Sequence, residues 1–372
     1  MILEWKKELL RKKNWIILGV VIVLCIGIGI VIHIQETYNE KIKEYNYTHN
    51  IELLQEFIKD KESILEENGS NKEIEQALEE DQKKLYLYEA MLDALEDGDW
   101  KQELKLNIEQ LEEDIVAYHN GNLVGITEEE LIKQQQQYTF LYENEIQPQD
   151  VNETVTGWNL VYMLFQGTIL PNFLPLIFIL FCIDMMSVEQ EQKTMKLLLL
   201  QPISRRTILR RKLMAGLAHT ISLVIVIVIV TFIAGSILGG VGDLRYPLDM
   251  NPIFGSDQEI LSLKDYFLQS IPLWLCSIFF YVSVAFLIST ICLNSMVATI
   301  IGIIAVEGGF SVMKIAKDSV FIYEPFYIGN IGELFKTEHT PNGWIVMGIL
   351  IVSAIVCIGI SNYVLKKKEF YL

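Results

Sequence analysis

The chain has 372 residues, 51% of them hydrophobic, with mean hydropathy +0.31 and a formal charge of −17. That is too apolar for an ordinary water-soluble domain, and the apolar residues fall in runs that meet the roughly 20-residue requirement of a bilayer-crossing helix. Charge is equally uneven: residues 35–166 hold thirty-one acidic and ten basic side chains, a balance of −21, while the remainder carries about +4.

Met1–Lys13 is basic and amphipathic. Helical spacing puts Ile2, Trp5, Leu9 and Lys13 on one face, which reads as an interfacial helix on the inner leaflet or as a plain positive-inside anchor. Trp15–Ile34 is the first apolar run. No small-residue cleavage site follows it, only Gln35, Glu36 and Thr37, so it reads as a retained span over 14–34 rather than a signal peptide.

Residues 35–162 form an acidic block predicted to be helical almost throughout. A helix around Ile51, Leu54, Phe57 and Ile58 offers a continuation of the first span. Ile74, Leu78, Leu85, Tyr88, Leu92 and Leu95 keep a heptad spacing with Asp81 as one defect, and Leu104, Ile108, Leu111, Ile115 and Tyr118 keep it again. Asp97-Gly98-Asp99 is a turn signal between them. The pattern predicts an antiparallel hairpin with a coiled-coil seam, its longer arm extending about 40 Å at 1.5 Å per residue. Asn68-Gly69-Ser70 starts the hairpin, Thr127-Glu128-Glu129-Glu130 resembles a capping box for a further helix, and Pro148 ends the domain.

Five more apolar runs lie within 163–365: Phe165–Met186, Leu213–Gly239, Pro272–Leu293, Met296–Ala316 and Trp344–Leu365. Basic residues cluster in the head, in the connection Ser187–Lys212 and in the tail 366–372. All three share one side of a membrane if six spans separate two cytoplasmic termini, with the acidic block, Val241–Ile271 and Lys317–Gly343 outside. Trp158, Trp274, Trp344 and Tyr363 fall near span ends, as interfacial aromatics do. The fold class expected is an all-α integral membrane protein: six transmembrane helices and a helical-hairpin extracytoplasmic domain.

Cys25, Cys182, Cys276, Cys292 and Cys357 all lie in or beside apolar runs and read as small hydrophobes. The acidic domain has none, which favours a Gram-positive plasma membrane over a eukaryotic secretory route. His33, His49, His119, His219 and His339 have no metal-ligand spacing. No phosphate-binding Gly-rich loop, His-Glu-x-x-His or Gly-x-Ser-x-Gly occurs, so the chain reads as neither an enzyme nor the holder of a cofactor or metal. Nothing points to nucleic acid. Two carboxylates fall in or near spans. Glu307, beside Gly308 and Gly309, must face a cavity, a cationic cargo or a structural partner such as Lys314 or a serine; Asp184 lies at a span end. Gly235-x-x-x-Gly239 and Ala298-x-x-x-Gly302 suit close helix packing and lend slight support to a dimer.

The stretch from Asp184 to Lys212 resembles the cytoplasmic connection of permeases of type-2 ABC exporters. The family pattern is a late-span Asp, a Glu-x-x-x-Gly-Thr, a Lys with leucines, a Pro-x-Ser-Arg and a Lys before the next span. This chain offers Asp184, Glu189, Glu191, Thr194, Lys196, Leu197–Leu200 with Leu198 among them, Pro202, Ser204, Arg205, Arg206 and Lys212; Lys193 stands where the family usually has Gly. Six spans and a basic amphipathic N-terminus fit too, while the acidic block lies outside the resemblance. The resemblance implies a coupling helix docked on a separate ABC ATPase subunit that holds ATP and Mg²⁺, and a second permease copy or similar partner. It also implies an exported peptide, antibiotic or lipid-like molecule, or sodium. The turn Leu293-Asn294-Ser295 is a further coupling candidate. Two other readings of Ser187–Lys212 and its chain stand beside this one: a loop that only sets topology and meets anionic lipid, and an extracytoplasmic sensor signalling through the bilayer. An ion-coupled carrier working alone fits less well, since internal repeats are not seen.

Overall fold

The computed structural model describes residues 2–69, 71–121, 125–167, 172–195, 204–250, 252–255, 261–316, 323–336 and 341–367. Among these, apart from the short strands β1 (Pro247–Leu248) and β2 (Leu261–Ser262), the regular structure is helical. In chain order the helices are α1 (Ile2–Leu9), α2 (Lys12–Asn68), α3 (Lys72–Glu96), α4 (Trp100–His119) and α5 (Glu128–Glu143). Then come α6 (Gly157–Gln166), α7 (Phe173–Cys182), α8 (Ser187–Glu191), α9 (Arg205–Gly239) and α10 (Leu263–Ile291). The last are α11 (Ser295–Ala316), α12 (Pro325–Ile328), α13 (Ile331–Leu334) and α14 (Gly343–Lys367). The chain forms two compact units. One comprises Met1–Ile30, Val155–Leu244 and Leu248–Leu372; the other comprises Val31–Thr154 with Arg245–Pro247.

Among the described residues six stretches are long and apolar enough to cross a membrane, and most of their apolar length lies in the first unit. The stretch containing α7 and α8 is 72% buried and that of α10 is 61% buried, against 22% for the other four, so α7 and α10 are the central helices. On α9 the residues Ile225, Ile229, Ile233 and Ile237 form an exposed apolar stripe, as a lipid-facing helix requires.

Two element boundaries differ from the hydropathy reading. The fourth span starts at Leu263 rather than Pro272, because the Ser262 hydroxyl accepts from the Asp265 N–H and caps the helix, leaving Pro272 inside it. The second run is not one helix from Phe165. Helix α6 ends at Gly167, whose φ of 61° is left-handed, and α7 begins after Asn172, at φ 63°. Helix α6, N-capped by Thr156, already belongs to this unit, which resumes at Val155 instead of the expected 163.

Both small-residue motifs are occupied within the chain. A side chain at Gly235 would meet the Thr156 carbonyl at 2.5 Å, and one at Gly239 would collide with the Val155 carbonyl. Gly302 faces Ile179 and Ile183, and Ala298 is fully buried. These spacings therefore seat α9 on α6 and α11 on α7, and do not form a free dimer seam.

In the second unit α3 and α4 form the hairpin, turning at Gly98 with φ 69°. Asn71, Asp99 and Thr127 cap α3, α4 and α5, and Thr127 with Glu130 completes the capping box. The seam is wider than a two-helix coiled coil. Leu87, Met91 and Ala94 of α3 are its most buried residues and pack with Tyr47 of α2 and Leu106 of α4, while Tyr88, Leu92 and Leu95 are only partly buried around them. Asp81, the break in the heptad, pairs with Lys61 of α2 at 2.6 Å. Met91, at 0% exposure, tests this packing: Met91→Ala should destabilise the second unit by about 2–5 kcal/mol, whereas Tyr86→Ala, at a site 71% exposed, should cost less than about 0.5 kcal/mol, both read from chemical denaturation followed by helicity.

Candidate functional site

Helix α1 stops at Leu9, and the turn Leu10–Arg11 joins it to α2. The Arg11 N–H donates to the Glu8 carbonyl (3.2 Å), and the Asn14 side-chain amide donates to the same carbonyl (3.0 Å). This tight reversal brings Glu8, Arg11, Lys13 and Asn14 together. The apolar face expected on α1 is not its most buried side. Trp5 and Leu9 are half-buried, whereas Glu8 is wholly inaccessible; the Ile2 side chain lies outside the described residues.

What α1 meets is a cluster of four carboxylates and four cations at the ends of α7, α8 and α9. Lys212, on the second turn of α9 and 1% exposed, reaches Glu189 of α8 at 2.8 Å and Glu4 of α1 at 3.6 Å, and donates to the Met185 carbonyl at 3.2 Å. Lys7 reaches the same Glu189 oxygen at 2.6 Å. Asp184, just past α7, is held by Arg11 (3.1 Å) and Lys13 (2.7 Å), and Lys13 also donates to the Leu180 carbonyl (2.9 Å). His219 of α9 stands behind them, 2.9 Å from the Asn14 amide and edge-on to Phe181. Ionised groups this buried persist only where pairs and hydrogen bonds offset their desolvation, and breaking one pair costs several kcal/mol.

Glu8 is the most buried carboxylate of the cluster, at 0% exposure. Arg11 lies 3.2 Å away, yet neither Glu8 carboxylate oxygen makes a hydrogen bond among the described residues. Burial is the main reason its carboxyl is pushed up to about 7; the Arg11 charge opposes that rise and the Asp184 charge adds to it.

The connection expected to dock a partner divides into an inner and an outer part. Glu189 is 1% exposed and committed to Lys7 and Lys212. Glu191 is exposed, and its carboxylate accepts from the backbone N–H and hydroxyl of Ser295 at 3.1 and 2.6 Å, capping α11 from another element. That ties the connection to the turn Leu293-Asn294-Ser295. Ser289 of α10 accepts from two successive N–H groups, Met186 and Ser187, both at 2.9 Å, fixing the start of α8. Thr194 is exposed and donates to the Glu189 carbonyl. Ser204 caps α9, and the exposed Arg205 donates to the Leu365 and Lys366 carbonyls at the end of α14. Arg206, Arg210 and Arg211 are exposed. Lys196, Leu197–Leu200 and Pro202 lie outside the described residues. Lys193 has φ 60°, the left-handed conformation that favours glycine.

Glu307 of α11 is half-buried, and its partner is neither a serine nor, among the described residues, a lysine. The Asn172 amide donates to it at 3.4 Å, and the Asn330 amide donates to the Asn172 carbonyl oxygen at 2.9 Å. Asn172 lies at the break before α7 and Asn330 between α12 and α13, so two helix interruptions meet at one carboxylate. The Lys314 side chain lies outside the described residues. Among the described residues no group of three or more His, Cys, Asp or Glu is placed to hold a metal ion.

From the sequence, Lys7 and Arg11 mark only sidedness, Lys13 joins the amphipathic face, and Glu189 and Lys212 belong to the connection; Glu4, Glu8, Ser289 and a role for His219 do not stand out. An acidic pair at i and i+4 in a basic helix, Glu4 and Glu8, was the available signal.

The family described as ABC-2 family transporter protein matches residues 2–370. No curated protein and no solved structure matches the chain.

Two outcomes follow from the local geometry. Lys193→Gly should relieve left-handed strain and stabilise the chain by up to about 1 kcal/mol, seen as a raised melting temperature in detergent. Glu8 binds its proton more tightly folded than unfolded, since its carboxyl stands at about 7 against an ordinary 4.5. Its contribution to stability is therefore present below pH 4.5 and is lost as pH rises to about 7. Glu8→Gln should abolish that slope and leave the variant more stable than the parent at pH 8 by about 2–3 kcal/mol, measured by denaturation across pH 4.5–8.

Proposed function

The chain belongs to the ABC-2 family of transporter proteins, and we propose that it is the permease subunit of an ATP-driven exporter, moved by a separate ATPase that engages the connection between α7 and α9. The family and the six apolar helices make the chain a multi-pass membrane component of an ABC transporter. Coupling through this connection is supported by the buried Lys212–Glu189 pair, 1% and 2% exposed at the side chains, with Lys7 on the same carboxylate.

The exposed residues Lys193, Thr194, Arg206, Arg210 and Arg211 offer a basic docking face, suited to charge-assisted contacts with an acidic partner surface. Behind it, Glu189 is a positioning residue. Displacing α8 moves Lys212 with α9 and Lys7 with α1, while Glu191 moves Ser295 with α11 and Ser289 holds α10. A push on one short helix thus reaches three long ones and α1 through hydrogen-bonded charges instead of a flexible loop. In this reading the basic end faces the cytoplasm, both termini lie there and the second unit lies outside. ATP and Mg²⁺ act on the partner, and two permease copies enclose the path. The Glu307–Asn172–Asn330 centre supports a path that accepts a positively charged group on a peptide, antibiotic or lipid-like cargo, and leaves sodium as the alternative cargo.

The test is purification of the chain with its ATPase from the native membrane. ATP hydrolysis should accompany the complex, and the charge reversal Arg206→Glu/Arg210→Glu/Arg211→Glu should weaken association at least about tenfold, equivalent to 1.4 kcal/mol. Active transport by the chain in proteoliposomes with no ATPase present would refute the reading, as would a charge-reversed chain that still stimulates its ATPase fully.

A further inference from the structure

The second unit contains a cleft that the transport reading does not use. It has two lobes, of about 510 and 250 Å³, on either side of the Lys43–Glu103 ion pair. The larger lies in the volume range of small-ligand pockets, about 300–1,000 Å³. Five carboxylates line the two lobes (Glu36, Glu40, Glu103, Asp150 and Glu153), against the single cation Lys43. Trp100 in one lobe, and Tyr138 and Tyr246 in the other, supply aromatic walls. Tyr246 comes from the separate segment Arg245–Pro247, which packs with this unit, and is 8% exposed.

The unit already shows what this chemistry holds. Lys43 sits on the Glu103 carboxylate, with its ammonium 6.0 Å from the centre of the Tyr47 ring, and Tyr47 donates to the same carboxylate at 3.2 Å. Lys101 repeats the arrangement, 2.5 Å from Glu145 and 5.9 Å from the Tyr142 ring centre. A carboxylate beside a tyrosine face is thus twice filled by an ammonium of the chain itself, the pairing expected from charge attraction and the ring quadrupole. Asp150 lines the 510 Å³ lobe together with Tyr138 and Tyr246, so a carboxylate and two tyrosines face one open volume. Among the described residues no lysine, arginine or histidine is paired with Asp150. Its backbone neighbour Asn152 donates to one Asp150 oxygen at 2.7 Å, which orients the carboxylate.

We infer that the cleft between α2, α4, α5 and the 147–154 segment is a binding site for an organic cation, whose ammonium or guanidinium group is taken between Asp150, Glu153 and the Tyr138 and Tyr246 rings. The net negative lining concentrates cations from solution, and the amides of Asn107 and Gln134 supply polar contacts for the rest of the ligand. Such a group comes either from a basic peptide side chain or from a free polyamine.

Isothermal titration of the full chain in detergent micelles tests this without any ATPase, so its result is independent of the transport reading. The probes are tetra-arginine amide, spermidine and a neutral tetra-serine amide. The expected result is saturable binding of at least one cation and none of the neutral peptide, weakened at least tenfold by Asp150→Asn/Glu153→Gln with helicity unchanged. Glu62→Gln/Glu66→Gln removes the same charge at exposed positions elsewhere on the unit and should leave affinity within twofold. Binding of the peptide alone assigns a peptide-borne cation; binding of spermidine as well assigns free amines. The inference fails if neither cation binds, if Asp150→Asn/Glu153→Gln binds like the parent, or if the Glu62/Glu66 variant loses as much affinity as the cleft variant.

Discussion

A lysine ammonium held on a carboxylate with almost no solvent, Lys212 on Glu189, is the constraint around which the first unit is arranged. An ion pair so placed gives little net stability, because desolvation takes back most of what attraction supplies. It gives definition instead. Lys212 can be satisfied only if α8 lies against the second turn of α9, and Glu189 gathers Lys7 only if α1 folds back at Leu10–Arg11. The same logic runs through Asp184, which needs both Arg11 and Lys13. Apolar helices in a bilayer slide and rotate at small cost because lipid and neighbouring side chains are equally greasy. Charges buried at one end of such helices remove that freedom.

Much of this architecture was legible in the sequence, and what was legible was local. Runs of twenty apolar residues marked the spans, heptad spacing and Asp97-Gly98-Asp99 marked the hairpin, and Thr127-Glu128-Glu129-Glu130 marked the start of α5. Span boundaries shifted where a cap competed with hydropathy: Ser262 starts α10 nine residues before Pro272, in a stretch whose Lys264 and Asp265 do not read as membrane. The charge cluster was illegible because its partners are far apart in the chain, Lys7 from Glu189 by 182 residues. A basic N-terminus looks the same from sequence whether it lies on lipid or is paired with protein. The residue Lys193, read as the poorest fit to the family pattern, adopts the backbone conformation for which a glycine is the natural occupant.

The second unit follows different rules. Its core is thin, a stripe of Leu87, Met91, Ala94 and Leu106 against Tyr47, and much of the remaining surface is acidic. Lysines placed against individual carboxylates temper the repulsion: Lys61 with Asp81, Lys83 with Glu113, Lys101 with Glu145. These exposed or half-exposed pairs add little individually. The wall around Asp150 and Glu153 is a place where negative charge and aromatic surface coincide with open volume.

The pinning of the second apolar run has a mechanical consequence. Its leading helix α6 is bonded to the far end of α9 through Gly157 N–H to Gly240 O at 2.9 Å and Trp158 N–H to Val241 O at 3.1 Å, with glycines at the seam leaving no room for slack. Its trailing end is clamped to α10 at Ser289. A rod fixed at both ends transmits displacement only if it is straight. This one is interrupted by left-handed residues at Gly167 and Asn172, so its two ends are not joined by one continuous helix. The second of these interruptions is also where the Asn172 amide donates to Glu307, so the break in the run and the polar centre between the spans share one residue.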